Sequence, residues 1–331
     1  MRAIFCTGYG PPEVLQLREV EKPLPKDRQV LIRIHATTVS AADCEIRRFD
    51  FPGWVWLPLR LWFGIRRPRR PVLGQDLAGV VEVTGKAVRS FQAGDRIFAT
   101  TGVGLGAHAE YICLGEQTAD GALAHLPANL SFEEAAAVPY GGLESLQFLR
   151  KANIQPGQKV LINGAGGSFG TFAVQLAKHF GAEVTAVDLS IKHAMLRALG
   201  ADRVLDYTRD DYTLEAGAYD VVFDVVGKGP FSASVRSLRA KGRYLLSNPR
   251  LSQLVRGIWI SLTSDKKVIF GAPSGKSQDL AYLRELIEAG KVRPVIDRRF
   301  PLEQMAEAHK YVETGQKLGN VVVTVYSGRR P

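Results

Sequence analysis

Residues 162–178 read INGAGGSFGTFAVQLAK, with Gly164, Gly166, Gly167 and Gly170 set between two apolar runs. The run that leads in, KVLINGA from Lys159, has strand composition. The run that leads out, FGTFAVQLAKHFG, has helical composition. A glycine turn between a strand and a helix lets the backbone approach a pyrophosphate, whose charge the helix N-terminus receives. Asp188 ends the next strand-like run, where an acid that bonds a ribose hydroxyl is expected. Phe169 occupies the last position of a strict GxGxxG pattern, and Gly170 follows one residue later. The loop Gly164, Gly166, Gly167, Ser168, Phe169 and Gly170 is therefore predicted to hold the pyrophosphate of NADH or NADPH. At the adenosine end two residues pull in opposite directions. Asp188 favours a free ribose 2′-hydroxyl, whereas Lys192 suits a 2′-phosphate. Tyr207 is placed to pack on adenine or bond the ribose, and acceptance of both cofactors is expected.

Outward from the loop, strands and helices alternate. After KVLINGA come AEVTAVD, DRVLDY, AYDVVFDVVG and RYLLS as strands, with IKHAMLRALG and FSASVRSLRAKG as helices between them. This rhythm implies βαβ units and a parallel, doubly wound sheet, so the fold class is α/β. Beyond Lys276 lie a helix (DLAYLRELIEAG), a short strand (VRPVID), a helix (LEQMAEAHKYVETG) and a last strand (NVVVTV). The first 115 residues differ: QVLIRIHATTVS, LAGVVEVTG and DRIFATTG are short strands punctuated by Gly and Pro, as in a small barrel or sandwich. Ser131 and Glu134 have capping-box spacing at a helix start, and Pro139 with Gly141 and Gly142 is predicted to split that helical segment.

The chain has 331 residues, 46% of them apolar, which suits about two domains and excludes a disordered chain. Cys6, Cys44 and Cys113 form no CxxC, so a disulfide framework is not expected and a reducing, cytoplasmic setting is. The N-terminus lacks a secretory pattern, and no run has the length of a spanning helix.

Several further motifs carry a family resemblance: GYGPPEVLQL, VLGQDLAGVVEVTG, FQAGDRIFA, LPANLSFEEAAAVP, IQPGQKVLINGAGG, YDVVFDVVG and AEAHKYVETGQKLGNVVVTV. Over nearly its whole length the chain resembles the medium-chain dehydrogenase/reductase superfamily, in its zinc-free, quinone-oxidoreductase-like branch. The resemblance implies a GroES-like, β-rich catalytic domain (1–125 and 297–331) around a Rossmann domain (126–296), with cofactor and substrate in the cleft between them. It also implies where catalytic zinc would be held in zinc-bearing relatives. Here those positions hold Ser40, Gly74-Gln75-Asp76 and the Tyr140-Gly141-Gly142 stretch, without the three Cys, His or carboxylate ligands zinc needs, so no zinc is expected. The resemblance places Ser40, Asp43 and Tyr140 at the nicotinamide end, with Tyr140 as the hydrogen-bond donor, and Asn248 and Asn320 on loops that approach the nicotinamide. His108 is read as a structural histidine.

The implied activity is hydride transfer from NAD(P)H to a quinone, an α,β-unsaturated carbonyl or an activated ketone or aldehyde. Absence of a strong catalytic acid favours activated acceptors, because their developing oxyanion asks for modest hydrogen bonding. The competing reading is a dinucleotide-binding protein with a membrane- or partner-associated role and weak turnover.

The net charge of +10 is localised. Residues 45–71 hold seven Arg against Glu45 and Asp50, and residues 228–267 hold nine Lys and Arg against Asp265. All four tryptophans lie in these segments. In the second, Leu251, Leu254, Val255, Ile258, Trp259 and Leu262 share one helical face. Three readings stand: packing within the fold or a homodimer, an aromatic mouth for an apolar substrate, or contact with an anionic membrane surface. Nucleic acid is not expected, since the arginines sit beside large aliphatic residues rather than along a polar face.

Overall fold

A computed structural model of the chain describes residues 1–117, 121–227, 229–271 and 276–326. Lys228 of the second basic segment and residues 327–331 of the expected catalytic domain lie outside the described residues. The chain forms two compact units, one of Met1–Tyr140, Ser274–Gly290 and Pro294–Pro331, the other of Gly141–Pro273 and Lys291–Arg293.

The first unit begins with β1 (Arg2–Cys6) paired antiparallel to β2 (Leu15–Glu19). β3 (Gln29–Val39) follows, then α1 (Ala41–Arg48) and α2 (Gly53–Phe63). β4 (Asp76–Thr84), β5 (Arg96–Thr100), β6 (Tyr111–Gly115), β7 (Ala122–His125) and α3 (Phe132–Ala136) continue it. α4 (Pro139–Lys151) leads into the second unit. There β8 (Lys159–Asn163), α5 (Ser168–His179), β9 (Glu183–Val187), α6 (His193–Ala198) and β10 (Arg203–Leu205) are followed by β11 (Tyr219–Asp224), α7 (Phe231–Arg236), β12 (Leu238–Leu246), α8 (Leu251–Thr263) and β13 (Lys267–Phe270). The chain then returns to the first unit with α9 (Ser277–Glu288), β14 (Ile296–Pro301), α10 (Met305–Glu313) and β15 (Asn320–Thr324).

In the first unit the sheet order is β14-β15-β3-β4-β5-β7, with β6 also on β3. The long β3 makes this possible. Residues 29–33 pair with β6, 36–39 pair with β15, and β4 runs along most of the strand, all antiparallel. Its apolar residues Val30, Ile32 and Ile34 enter a core with Leu77, Ile97, Val321 and Val323. The β-rich reading of the first 115 residues holds, and the last strand joins their sheet.

The second unit is a six-stranded sheet in the order β10-β9-β8-β11-β12-β13, every pairing parallel. The direction of winding reverses between β8 and β11. In open parallel sheets, ligands bind beyond the carboxyl ends of the strands at such a reversal. The central strands are buried on both faces, which explains their continuous apolar runs (VLI in β8, VVF in β11).

Three elements differ from the sequence reading, one of them the strand expected over VRPVID, which runs instead over Ile296–Pro301. Pro139 does start a new helix, but Gly141 and Gly142 lie inside α4 rather than breaking it. Proline is suited to a first helical position, and Gly141 leaves room for the Ser168 carbonyl, which a Cβ would crowd. The LRAKG stretch was expected to extend a helix from Phe231. It opens β12 instead: Leu238 pairs with Tyr219 of β11, the register then shifts, and pairing resumes at Arg243 opposite Val221.

Candidate functional site

The glycine loop joins β8 to α5 at the sheet's reversal. Gly164 has φ +84°, a left-handed conformation suited to glycine, and its N–H and that of Ala165 donate to Val187 O at 3.0 and 3.2 Å. α5 starts at Ser168 with Gly167 as its N-cap, so the positive end of the helix dipole opens onto the loop. Ser145 Oγ lies 2.8 Å from Phe169 O. Gly170, one residue beyond the strict pattern, performs the packing role of a third glycine: a Cβ there would collide with Gly164 O and the Ala165 backbone. The residue is displaced in sequence because the close approach falls one position further into the helix.

Asp188 follows β9 and is buried. Its Oδ2 accepts from Gly166 N at 2.7 Å, its Oδ1 accepts from Leu189 N at 2.9 Å, and Lys192 Nζ lies 3.0 Å from Oδ1 in a nearly buried ion pair. The two residues the sequence set in opposition are thus bonded to each other and to the loop. Tyr207 is 55% exposed just beyond β10. Asn248 is exposed after β12. Asn320 is buried at the start of β15, where its Nδ2 donates to Val295 O at 3.1 Å.

Asp224, at the carboxyl end of β11, escaped the sequence reading. It is fully buried and accepts from Asn163 Nδ2, Gly227 N and Tyr244 OH at 3.0 Å each, and from Gly229 N at 3.2 Å. A carboxylate can accept this many donors, and here it ties the end of β8 to the loop after β11. The available signal was an acid closing the apolar run YDVVFD.

In the first unit, Ser40 and Asp43 form a capping box on α1. Ser40 N donates to Asp43 Oδ2 at 2.8 Å, Ser40 Oγ donates to the same oxygen at 2.7 Å, and Asp43 N donates to Ser40 Oγ at 3.3 Å. Tyr140, half-buried in the first turn of α4, donates its backbone N–H to Asp76 Oδ1 at 3.1 Å. Asp76 is buried. Burial, and then the charge of Asp43, pushes its carboxyl well above the usual range. Asp76, which the sequence marks only within the stretch where zinc would be held, fixes the turn that carries Tyr140. His108 is also enclosed. Its Nε2–H donates to Thr38 O at 3.0 Å, and burial holds it below the ordinary histidine value, consistent with a structural role. Cys44 Sγ lies 3.3 Å from His309 Nδ1, and burial pushes the thiol up to about 12. Among the described residues, no group of three His, Cys, Asp or Glu side chains is arranged to hold a metal ion. No helix among them is long and apolar enough to cross a membrane.

Comparison with known proteins agrees with this geometry. Residues 26–128 match the family model for the alcohol dehydrogenase GroES-like domain, and residues 199–323 match that for zinc-binding dehydrogenases. The chain is 32% identical to the 2-methylene-furan-3-one reductase of Solanum lycopersicum, over 98% of this chain and 79% of that protein. It is also 32% identical to the chloroplastic NADPH-dependent alkenal/one oxidoreductase of Arabidopsis thaliana, with the same coverage. Among solved structures, the quinone oxidoreductase of Coxiella burnetii superposes with a TM-score of 0.87 at 30% identity, covering 98% of this chain and 99% of that one.

Proposed function

The chain belongs to the medium-chain dehydrogenase/reductase superfamily, in its quinone-oxidoreductase-like branch, and from that premise we propose that it is an NAD(P)H-dependent reductase of quinones and α,β-unsaturated carbonyls. The observation that carries the reading is the glycine cradle. Gly164, Gly166, Gly167, Ser168, Phe169 and Gly170 wrap the N-terminus of α5, and a side chain at Gly170 would push the loop backbone at Gly164 and Ala165 out of place. The donor set fits a dinucleotide, with backbone and a helix dipole for the pyrophosphate and Asp188, Lys192 and Tyr207 for the adenosine end. Asn248 and Asn320 are assigned to the nicotinamide end, Asn320 through the loop its side chain fixes. When bound, the reduced nicotinamide supplies a hydride. The zinc that the second family description names does not fit this chain: Ser40, Gln75 and Tyr140 stand where its ligands would be, and no step is routed through a metal.

The remaining chemistry is stabilisation of the oxygen that gains charge when the acceptor is reduced. In this reading the Tyr140 hydroxyl donates to that oxygen. Asp76, protonated or not, accepts the Tyr140 N–H and holds the turn. Ser40 and Asp43, locked in their capping box, hold the start of α1 at the reacting end and shape the wall. A single neutral donor suits an acceptor whose charge is delocalised, and an isolated ketone asks for more.

The test is steady-state oxidation of NADPH and NADH over a panel of quinones and enones, with and without a chelator. Turnover unaffected by chelation is expected. Tight cofactor binding with no turnover on any acceptor would sink the reductase reading. Tyr140→Phe should lower kcat roughly tenfold with cofactor affinity unchanged. An unaltered kcat would remove Tyr140 from the reaction.

A further inference from the structure

α2 carries an exposed apolar face that the proposed reaction does not use. Its sequence, GWVWLPLRLWF, contains no buried residue. Trp54, Leu57, Pro58, Leu61 and Trp62 are all exposed, at intervals of three and four residues that place them on one side of the helix, and Ile65 just beyond it is exposed too. Trp62 is 64% exposed and Leu57 61%. The opposite side is anchored. Phe63 stacks on Phe51 with centroids 6.2 Å apart, and Arg60 lies 4.2 Å from the ring centroids of both Tyr9 and Phe49. Tyr9 OH donates to Gly64 O at 2.9 Å. The outward face is therefore held outward by packing beneath it.

Along the chain from Phe51 onward, the charge in and after this helix is of one sign. Residues 51–75 contain Arg60, Arg66, Arg67, Arg69 and Arg70 and no acidic residue. Arg66, Arg67, Arg69 and Arg70 are exposed immediately after the helix, and none forms an ion pair among the described residues. Arg70 donates to Gly104 O at 3.0 Å, which fixes one end of the cluster to the body of the unit. A second copy of the chain would bring identical arginines together, because a two-fold contact sets the same patch against itself. An anionic bilayer surface offers both complements: phosphate headgroups for the arginines, and an interfacial zone for tryptophan and leucine. Pro58 inside the helix cannot bond the carbonyl four residues earlier, which the hydrated headgroup zone tolerates and a dry interface does not.

We propose that α2 and the Arg66–Arg70 cluster form a peripheral docking site for an anionic lipid bilayer, with the Trp54–Trp62 face at the headgroup boundary. The site is independent of turnover, so it stands or falls apart from the reductase reading. It would bring the enzyme to acceptors dissolved in the membrane.

The experiment is co-sedimentation of the full chain with phosphatidylcholine vesicles, with and without phosphatidylglycerol, at low and high salt. Binding is expected only with phosphatidylglycerol and should weaken with salt, since screening shortens from about 10 Å at 0.1 M to about 3 Å at 1 M. The combined Arg66→Ser, Arg67→Ser, Arg69→Ser variant should bind roughly a hundredfold more weakly. Leu57→Ser, Leu61→Ser, Trp62→Ser should lose at least about tenfold. All six side chains are exposed, and unchanged NADPH affinity reports that the fold is intact. If the apolar triple variant loses NADPH affinity as well, the arginine variant alone decides.

α8 supplies the control. It too shows an outward apolar face, Leu251, Val255, Ile258, Trp259 and Leu262, while Gly257 turns inward against Val268 and Phe270 of β13. The Ile258→Ser, Trp259→Ser, Leu262→Ser variant should keep vesicle binding. The proposal is overturned by absence of wild-type binding, by binding that only the α8 variant loses, or by a wild-type dimer in sedimentation velocity that the α2 variants dissociate.

Discussion

At the scale of single residues, the adenosine end assigned to Asp188 and Lys192 turns on the ion pair between them. The Asp188 carboxylate repels a 2′-phosphate and also occupies Lys192, the nearest cation. Asp188→Asn keeps an acceptor for the Gly166 N–H and releases the Lys192 ammonium. The ratio of kcat/KM for NADPH over NADH should rise roughly tenfold. An unchanged ratio shows that this pair does not set the preference. Glu144, buried in α4, governs a pH dependence. Burial pushes its carboxyl from 4.5 to about 7, with Lys151 pulling weakly the other way. The folded state then binds more protons than the unfolded one, so stability falls as pH rises from 4.5 to about 7 and is level above that. The fall amounts to roughly 3 kcal/mol. Urea denaturation across that range should show it in the wild type, and Glu144→Gln should remove the share Glu144 contributes, leaving the share of the raised Asp76 carboxyl. Neither contact was legible in the sequence. Asp188 and Lys192 stood out as separate candidates, but their ion pair depends on where the turn after β9 places them. Nothing in the sequence around Glu144 signals its burial.

At the scale of elements, the loop between β8 and α5 was the most legible part of the chain. Its signal is local: glycines, an apolar strand before and a helix former after. Gly170→Ala tests whether close approach is the reason for its glycine. The added methyl meets Gly164 O and Ala165, so stability should drop by about 1–3 kcal/mol. Cofactor affinity should drop at least about tenfold, read by melting and by a fluorescence titration. A variant that binds as the wild type does would overturn that account. The α8 face was equally legible as a pattern, yet its placement was not. Periodicity identifies an apolar face and does not say what covers it. In the structure Gln253, Gly257 and Ile260 turn toward the sheet, and the larger residues face outward. LRAKG shows the opposite failure, since its composition suits a helix, yet it lies between two pairings with β11, at Leu238 and from Arg243 on.

At the scale of the whole molecule, the first unit depends on chain that returns after the second is complete. β15 lies between β14 and β3, and Leu302, Met305, Ala308, Val312, Val321 and Val323 enter the same core as β3 and β4. Six such side chains contribute on the order of 10 kcal/mol, comparable to the whole stability of a domain. A chain ending at residue 293 should leave the first unit unfolded, with its β-sheet circular dichroism lost. Retention of that signal would contradict this dependence. Saturating NADPH, at a hundredfold its Kd, should stabilise the second unit by about 2.7 kcal/mol, measurable as a shift of its melting transition.

The sequence by itself determined the α/β class, the βαβ rhythm, the glycine loop and the concentration of charge in two tryptophan-bearing segments. Each of these is written in residues that are neighbours along the chain. Only the tertiary structure decided that Gly170 backs the loop, that Asp188 holds both Gly166 and Lys192, that Asp76 and Asp224 fasten the loops around them, and that the apolar faces of α2 and α8 point outward. Those outcomes depend on contacts between residues tens to hundreds of positions apart. Such contacts form where strand pairing and core packing bring the segments together, which no local pattern encodes.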